Sequence, residues 1–296
     1  MRSEIPKPSA ILSTKIVYAP LRSFYSSRIV RRLLTTRVGQ RVLGRGEELI
    51  EFYGLLRQLK YGEAWTARGA AHALAIHHRG FRSFRPLVET LTDVSRPALV
   101  RADAALALAK LCGNAPEHIA SAGEASLIEA LKRESDGDVR ISALKGLGEF
   151  KSEGAARALL LALKRGWRES LYAAEALGRM ALALREKPNE EDKKTLRLLE
   201  DEAHPALLEV LSSHENVFAR THAANALINI GKRLRENEEK RLIEVFEKEG
   251  NARVRDAVVD VMAALGGRAS LEVLERYATV DKHVEWAVQA IRARME

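Results

Sequence analysis

Along most of the chain apolar residues return at intervals of three and four, the spacing that places side chains on one face of a helix. The pattern comes in two alternating kinds. One is Leu-rich and amphipathic: Glu48-Leu49-Ile50 to Leu59, Pro86-Leu87-Val88 to Leu91, Ser126-Leu127-Ile128 to Leu131, Ala158-Leu159-Leu160 to Leu163, Ala206-Leu207-Leu208 to Leu211, Arg241-Leu242-Ile243 to Phe246, and Leu271-Glu272-Val273-Leu274. The other is built on small residues: Ala70-Ala71-His72-Ala73-Leu74, Val100-Arg101 to Ala104-Ala105-Leu106, Val139-Arg140 to Ala143-Leu144, Ala173-Ala174-Glu175-Ala176-Leu177, Ala219-Arg220 to Ala223-Ala224, Val254-Arg255 to Val258, and Ala287 to Ile291. Aligned on their first small residue, these seven copies fall at 70, 104, 143, 173, 223, 258 and 287, about 30 to 50 residues apart. That is the period of two-helix repeats. Small side chains let the second helix of each hairpin lie close to the first, while Leu and Val fill the space between hairpins. The pattern predicts an all-α fold, an α-solenoid of about seven helical hairpins over residues 46–296.

Gly80, Gly113, Gly148, Gly231 and Gly266 fall where second helices should stop, as left-handed C-terminal caps require. Two charged stretches break the regularity. In Arg185 to Asp192, Pro188 should end one helix and Asp192 cap the next, leaving a long surface connection. Lys232 to Lys240 reads as a solvated turn capped by Asn237.

The Val-Arg pairs Val100-Arg101, Val139-Arg140 and Val254-Arg255, with Ala219-Arg220 as a variant, and the Ala and Leu positions after them resemble the HEAT repeats. The resemblance is closest to the short bacterial and archaeal class of phycobilisome-lyase HEAT-like repeats and covers roughly residues 47–295. It implies that Arg101, Arg140, Arg220 and Arg255 are structural, each reaching an acidic or carbonyl group in a neighbouring hairpin to form a ladder along the stack. It is specific for fold and leaves function open, because one solenoid serves many roles.

Enzymatic relatives within this architecture make defined demands. A deoxyhypusine-hydroxylase likeness requires several His-Glu pairs inside second helices to hold a di-iron centre, and the chain has one, His214-Glu215, in a turn. A likeness to the HEAT-like DNA glycosylases requires Trp residues with an Asp around a groove; Trp65, Trp167 and Trp286 lack such a partner in sequence and read as packing residues. The histidines show no metal spacing and read as surface or rim residues. Cys112, the only cysteine, sits among Leu108 and Leu111 and reads as a buried apolar thiol. No Gly-rich phosphate loop or nucleophile motif occurs. The chain is therefore expected to be no enzyme and to use no metal or cofactor.

Charge changes the picture once it is divided. The net charge is +8. Residues 1–45 carry ten basic residues against one acid, Glu4, or +9, so residues 46–296 sum to −1. The excess lies on an N-terminal arm, where Arg28, Arg31, Arg32, Arg37 and Arg41 accompany Ile29, Leu33, Val38 and Val42 in a basic amphipathic pattern. The arm reads as a cap over the first repeat with a basic outer face; contact with anionic membrane or nucleic acid and an organelle-type transit segment are the alternatives. Two segments follow, a basic arm or cap at 1–45 and a solenoid at 46–296. A single cysteine points to a reducing, cytoplasmic setting, and no apolar run approaches the roughly 20 residues of a membrane span.

The exposed row of the second helices carries what remains for function, since it lines the concave side of such a superhelix. Five and nine places beyond the Arg position stand His72 and Ile76, Leu106 and Lys110, Lys145 and Glu149, Glu175 and Arg179, Asn225 and Asn229, Asp260 and Ala264, and Gln289. A row of mixed sign suits a polypeptide better than a nucleic-acid backbone, which would favour a continuous Lys/Arg stripe. The expected function is a non-catalytic scaffold or adaptor that binds a protein partner along this face. The competing expectation is a nucleic-acid-associated protein, related to the HEAT-like glycosylases, that contacts phosphates through the arm.

Overall fold

A computed structural model describes residues 37–76, 81–113 and 115–296. Among the described residues the fold is all helical. Fourteen of the fifteen α-helices form seven antiparallel hairpins, whose first helices are α1 (Arg37–Tyr61), α3 (Phe84–Thr92), α5 (Glu117–Arg133), α7 (Glu153–Leu163), α10 (His204–Ser213), α12 (Glu236–Lys248) and α14 (Arg268–Leu274). The second helices are α2 (Ala64–Ile76), α4 (Ala98–Cys112), α6 (Gly137–Leu147), α8 (Trp167–Arg185), α11 (Val217–Ile230), α13 (Ala252–Leu265) and α15 (Lys282–Met295). The remaining helix, α9 (Glu190–Leu198), runs through a π-helical turn, Leu199–Ala203, directly into α10. This is the α-solenoid of helical hairpins that the two alternating patterns predict.

Each second helix packs on the next throughout the series, far more extensively than the first helices touch one another. Side-chain size is the cause. A Cβ added at Gly146 would stand 3.0 Å from the Ala109 Cβ, one at Gly148 3.1 Å from the Ala176 Cα, and one at Gly178 3.1 Å from the Ala226 Cα. Ala and Gly thus draw the second helices together, while Leu87, Leu127, Leu159, Leu207 and Leu242 of the first helices are fully buried spacers. A tight layer beside a looser one bends the stack with the second helices on the inner side.

Several local expectations need correction. Of the predicted glycine caps, Gly231 alone among the described ones is left-handed, at φ 66°; Gly113 and Gly148 are right-handed helical, and Gly266 is extended. Gly148 is present for the close approach to α8 rather than for its φ. Between α8 and α9 the break is short, because Asn189 and not Asp192 is the cap. The Asn189 side chain accepts from the Asp192 N–H at 2.8 Å while the Asp192 carboxylate accepts from the Asn189 N–H at 3.1 Å. The supposed long connection is therefore cut to residues 186–189. Asn237 lies inside α12, whose start is held instead by the Arg235 N–H donating to Glu238 at 2.7 Å. At the N-terminus α1 is described from Arg37 onward, so Arg37 and Arg41 lie on it, on the near side of the expected 45/46 boundary. Arg28, Arg31 and Arg32 lie outside the described residues, as do His77 and Gly80.

Candidate functional site

Before a face can present side chains its hairpins must be held in register, and three of the four arginines that follow a Val or Ala link one hairpin to the next. Arg101 pairs with Glu134 at the end of α5, both side chains 9% exposed. Arg140 donates to both oxygens of Glu169 on α8, at 2.8 and 2.9 Å, and to the Leu131 carbonyl at 2.6 Å. Arg220 reaches Glu249 at 2.6 Å and the Leu211 carbonyl at 2.7 Å. Arg255 departs from the ladder: it is exposed, with its guanidinium 5.8 Å from the Phe246 ring centre. The equivalent of Arg140 in the next hairpin, Ser170, is buried and too short to reach across.

All ten face candidates are solvent-accessible. His72, Lys110, Glu149, Arg179, Asn225 and Gln289 are exposed, and Lys145, Glu175, Asn229 and Asp260 are half-buried. The structure joins some of them. Arg179 on α8 bridges back to α6, meeting the Glu149 carboxylate at 3.2 Å and the Lys145 carbonyl at 2.9 Å, while the Lys145 ammonium lies 4.3 Å from the Tyr172 ring centre. These three charges are engaged with α6 and α8 themselves. Farther along, Asp260 on α13 stands 3.0 Å from His283 on α15, and the His283 ring stacks on Trp286 at 5.6 Å. Burial lifts the Asp260 carboxyl above the usual range, with His283 acting against it and Asp256 adding to it. The Asn229 amide lies against Gly178, and His72, Lys110, Glu175, Asn225 and Gln289 are not drawn into these clusters.

Aromatic rings complete this face, and Trp65, Trp167 and Trp286, expected as packing residues, are all exposed. Trp65 is 80% exposed, Phe218 51% and Trp286 52%. Trp65 and Phe218 stand seven residues before His72 and Asn225, on the same stripe two turns earlier. Stepping the exposed row back by seven finds Trp65, Leu99, Asp138, Arg168, Phe218, Arg253 and Lys282, a series that counting forward from the Arg position never reaches. Guanidiniums accompany the rings: Arg68 sits 6.0 Å from the Trp65 centre while pairing with Asp103 on α4, and Arg253 sits 5.3 Å from the Phe218 centre.

Among the described residues no group of three or more His, Cys, Asp or Glu side chains is brought together so as to hold a metal ion. Cys112 is buried, and burial pushes its thiol up to about 11, away from nucleophilic use. A shallow cleft between α10 and α12 is lined by Arg220, Arg241, Glu244 and Glu249, whose charges are matched by partners in or beside it. No described helix is long and apolar enough to cross a membrane.

No protein-family model matches the chain, and no curated protein sequence does. Solved structures with a related course of chain include an engineered protein, at 20% identity and a TM-score of 0.45, covering 81% of this chain and 94% of that one. The complex of CpcE and CpcF of phycocyanin lyase from Nostoc sp. is 18% identical, with a TM-score of 0.45 and coverage of 81% and 92%. Human deoxyhypusine hydroxylase is 15% identical, with a TM-score of 0.31 and coverage of 93% and 98%. The fold assignment above rests on the hairpin stack itself.

Proposed function

We propose that the chain is a non-catalytic scaffold that binds a protein partner along the face of its second helices. The observation that carries this reading is the composition of that face: amides at Asn225, Asn229 and Gln289, charges of both signs, and the exposed rings of Trp65, Phe218 and Trp286. Amides serve polypeptide backbone groups as both donor and acceptor, and exposed Trp and Arg are the residue types that dominate binding energy at protein interfaces. A phosphate backbone would call for unpaired cations in a row, yet Arg68, Arg168 and Arg179 each face a carboxylate.

Affinity capture from source cells with the full chain, nuclease-treated, tests the reading when run beside a triple variant, Trp65→Ala, Asn225→Ala, Trp286→Ala. These side chains are exposed, so the fold should survive, which a melting curve verifies. A protein bound by the wild type and lost by at least tenfold in the triple variant is the expected result. Retention of that protein by the variant, or recovery of nuclease-sensitive material alone, would contradict it.

A further inference from the structure

The sequence pattern places the histidines at the surface or rim, and His204 breaks that rule: it is fully buried, and neither ring nitrogen has a hydrogen-bond partner. It is the first residue after the π-helical turn Leu199–Ala203, where α9 becomes α10, and Pro205 follows it. A buried polar group without partners is costly, and Leu or Phe would fill the position without that cost. What an imidazole adds is the capacity to gain a charge near neutral pH.

We infer that the turn from α9 into α10, where the fourth hairpin leads into the fifth, is an acid-sensitive joint, closed by the neutral, unpartnered ring of His204 and opened when that ring takes up a proton. Burial chiefly disfavours the charged ring, and the charged groups around it act in both directions. From the segment joining α11 to α12 come Lys232 and Arg235, both repelling a cation at His204; from α12 comes Glu238, the opposing carboxylate. The acids of the π turn are drawn to other partners: Glu202 to Arg157 of α7 at 3.0 Å, Glu200 to Arg185 of α8 at 4.0 Å, and Asp201 to Lys232 at 3.3 Å. Lys232 also donates to the Glu200 carbonyl, clamping the π turn. A proton on His204 thus charges a fully buried ring that has Lys232 and Arg235 nearby, and the segment held by that clamp must open to hydrate it. Since α10 packs on α11, opening loosens the part of the face that carries Asn225 and Asn229. The inference stands whatever the partner is.

Burial holds the ring's pKa down to about 4 from its ordinary 6.5. If the opened segment recovers the ordinary value, its opening constant rises about thirtyfold between about pH 7.5 and about pH 5.0. Hydrogen exchange on the full chain at those two pH values, corrected for intrinsic rates, measures this directly. The expected result is a rise of roughly that size in residues 190–213, with residues 137–147 of α6 unchanged, and its disappearance in His204→Phe. His204→Gln serves as a second non-titrating variant should Phe prevent folding, and an imidazole NMR titration midpoint near 4 in the wild type is expected alongside. No rise in the wild type, a rise that persists in the non-titrating variants, a rise equal in every hairpin, or a midpoint near 6.5 would each overturn the inference.

Discussion

A buried guanidinium is stable only with its carboxylate, and that sets what single residues of the ladder are worth. Removing Arg101 leaves Glu134 in a water-poor site without its partner, so Arg101→Ala should cost about 3 to 5 kcal/mol, whereas replacing both by apolar residues of similar size should cost far less. Denaturant midpoints of the two single variants and the double check this, and simple additivity would show that the pair is not coupled. Arg255, exposed over Phe246, should tolerate Ala with about 1 kcal/mol lost or less. Four arginines look alike in sequence because all follow a small or β-branched residue at the same register. What separates Arg255 from the other three is that no carboxylate of the neighbouring hairpin pairs with it, Glu275 meeting Arg292 instead, and that depends on packing. His204 illustrates the same limit, since no local pattern marks a histidine whose ring nitrogens are buried without a hydrogen-bond partner. Its pH effect has a definite sign. Below about pH 6.5 the unfolded chain takes up a proton that the folded chain refuses until about pH 4, so stability falls as pH is lowered through this window, by up to about 3 kcal/mol in total. Melting temperatures of the wild type and His204→Phe should therefore diverge between pH 7 and 4, and parallel curves would contradict the assignment.

At the scale of helices and turns, existence was easier to read than ends. Periodicity locates every hairpin, because the Leu-rich and Ala-rich faces follow from burial and recur seven times. Caps depend on a few atoms and were often misassigned: Asn189 rather than Asp192 begins α9, and Asn237 is interior to α12. The charged run around Glu190 looked like a loop because three acids and two lysines conceal the apolar spacing of Thr195, Leu198 and Leu199, all buried. Asn189→Ala should cost about 1 kcal/mol by removing one half of a reciprocal cap, read from a thermal midpoint. Gly231→Ala should cost more, about 1 to 2 kcal/mol, since its φ of 66° is unfavourable to any Cβ and a Cβ there would meet the Arg185 guanidinium at 2.8 Å. Gly113→Ala, at a right-handed position, provides the comparison: its cost should be clearly smaller, and equal costs would refute the distinction between a conformational glycine and a permissive one.

For the whole molecule, the stack turns local similarity into one long surface. Seven second helices of like design place their exposed positions side by side, so mixed and individually unremarkable residues become a continuous face. Sequence counting found ten members of that face and missed its rings, because a Trp at a helix start is read first as core. The separation of charge belongs to this scale too: residues 1–45 carry +9 while the remainder is nearly neutral, so any steep salt dependence of binding should reside in the arm. Site-specific photo-crosslinking tests the central claim most directly. A benzophenone side chain would be placed at position 225, on the inner face, and in a second protein at position 161, an exposed position of α7 in the outer layer. The account predicts one discrete protein adduct from position 225 in source-cell extract and none from position 161; adducts of equal yield from both, or from position 161 alone, would contradict it.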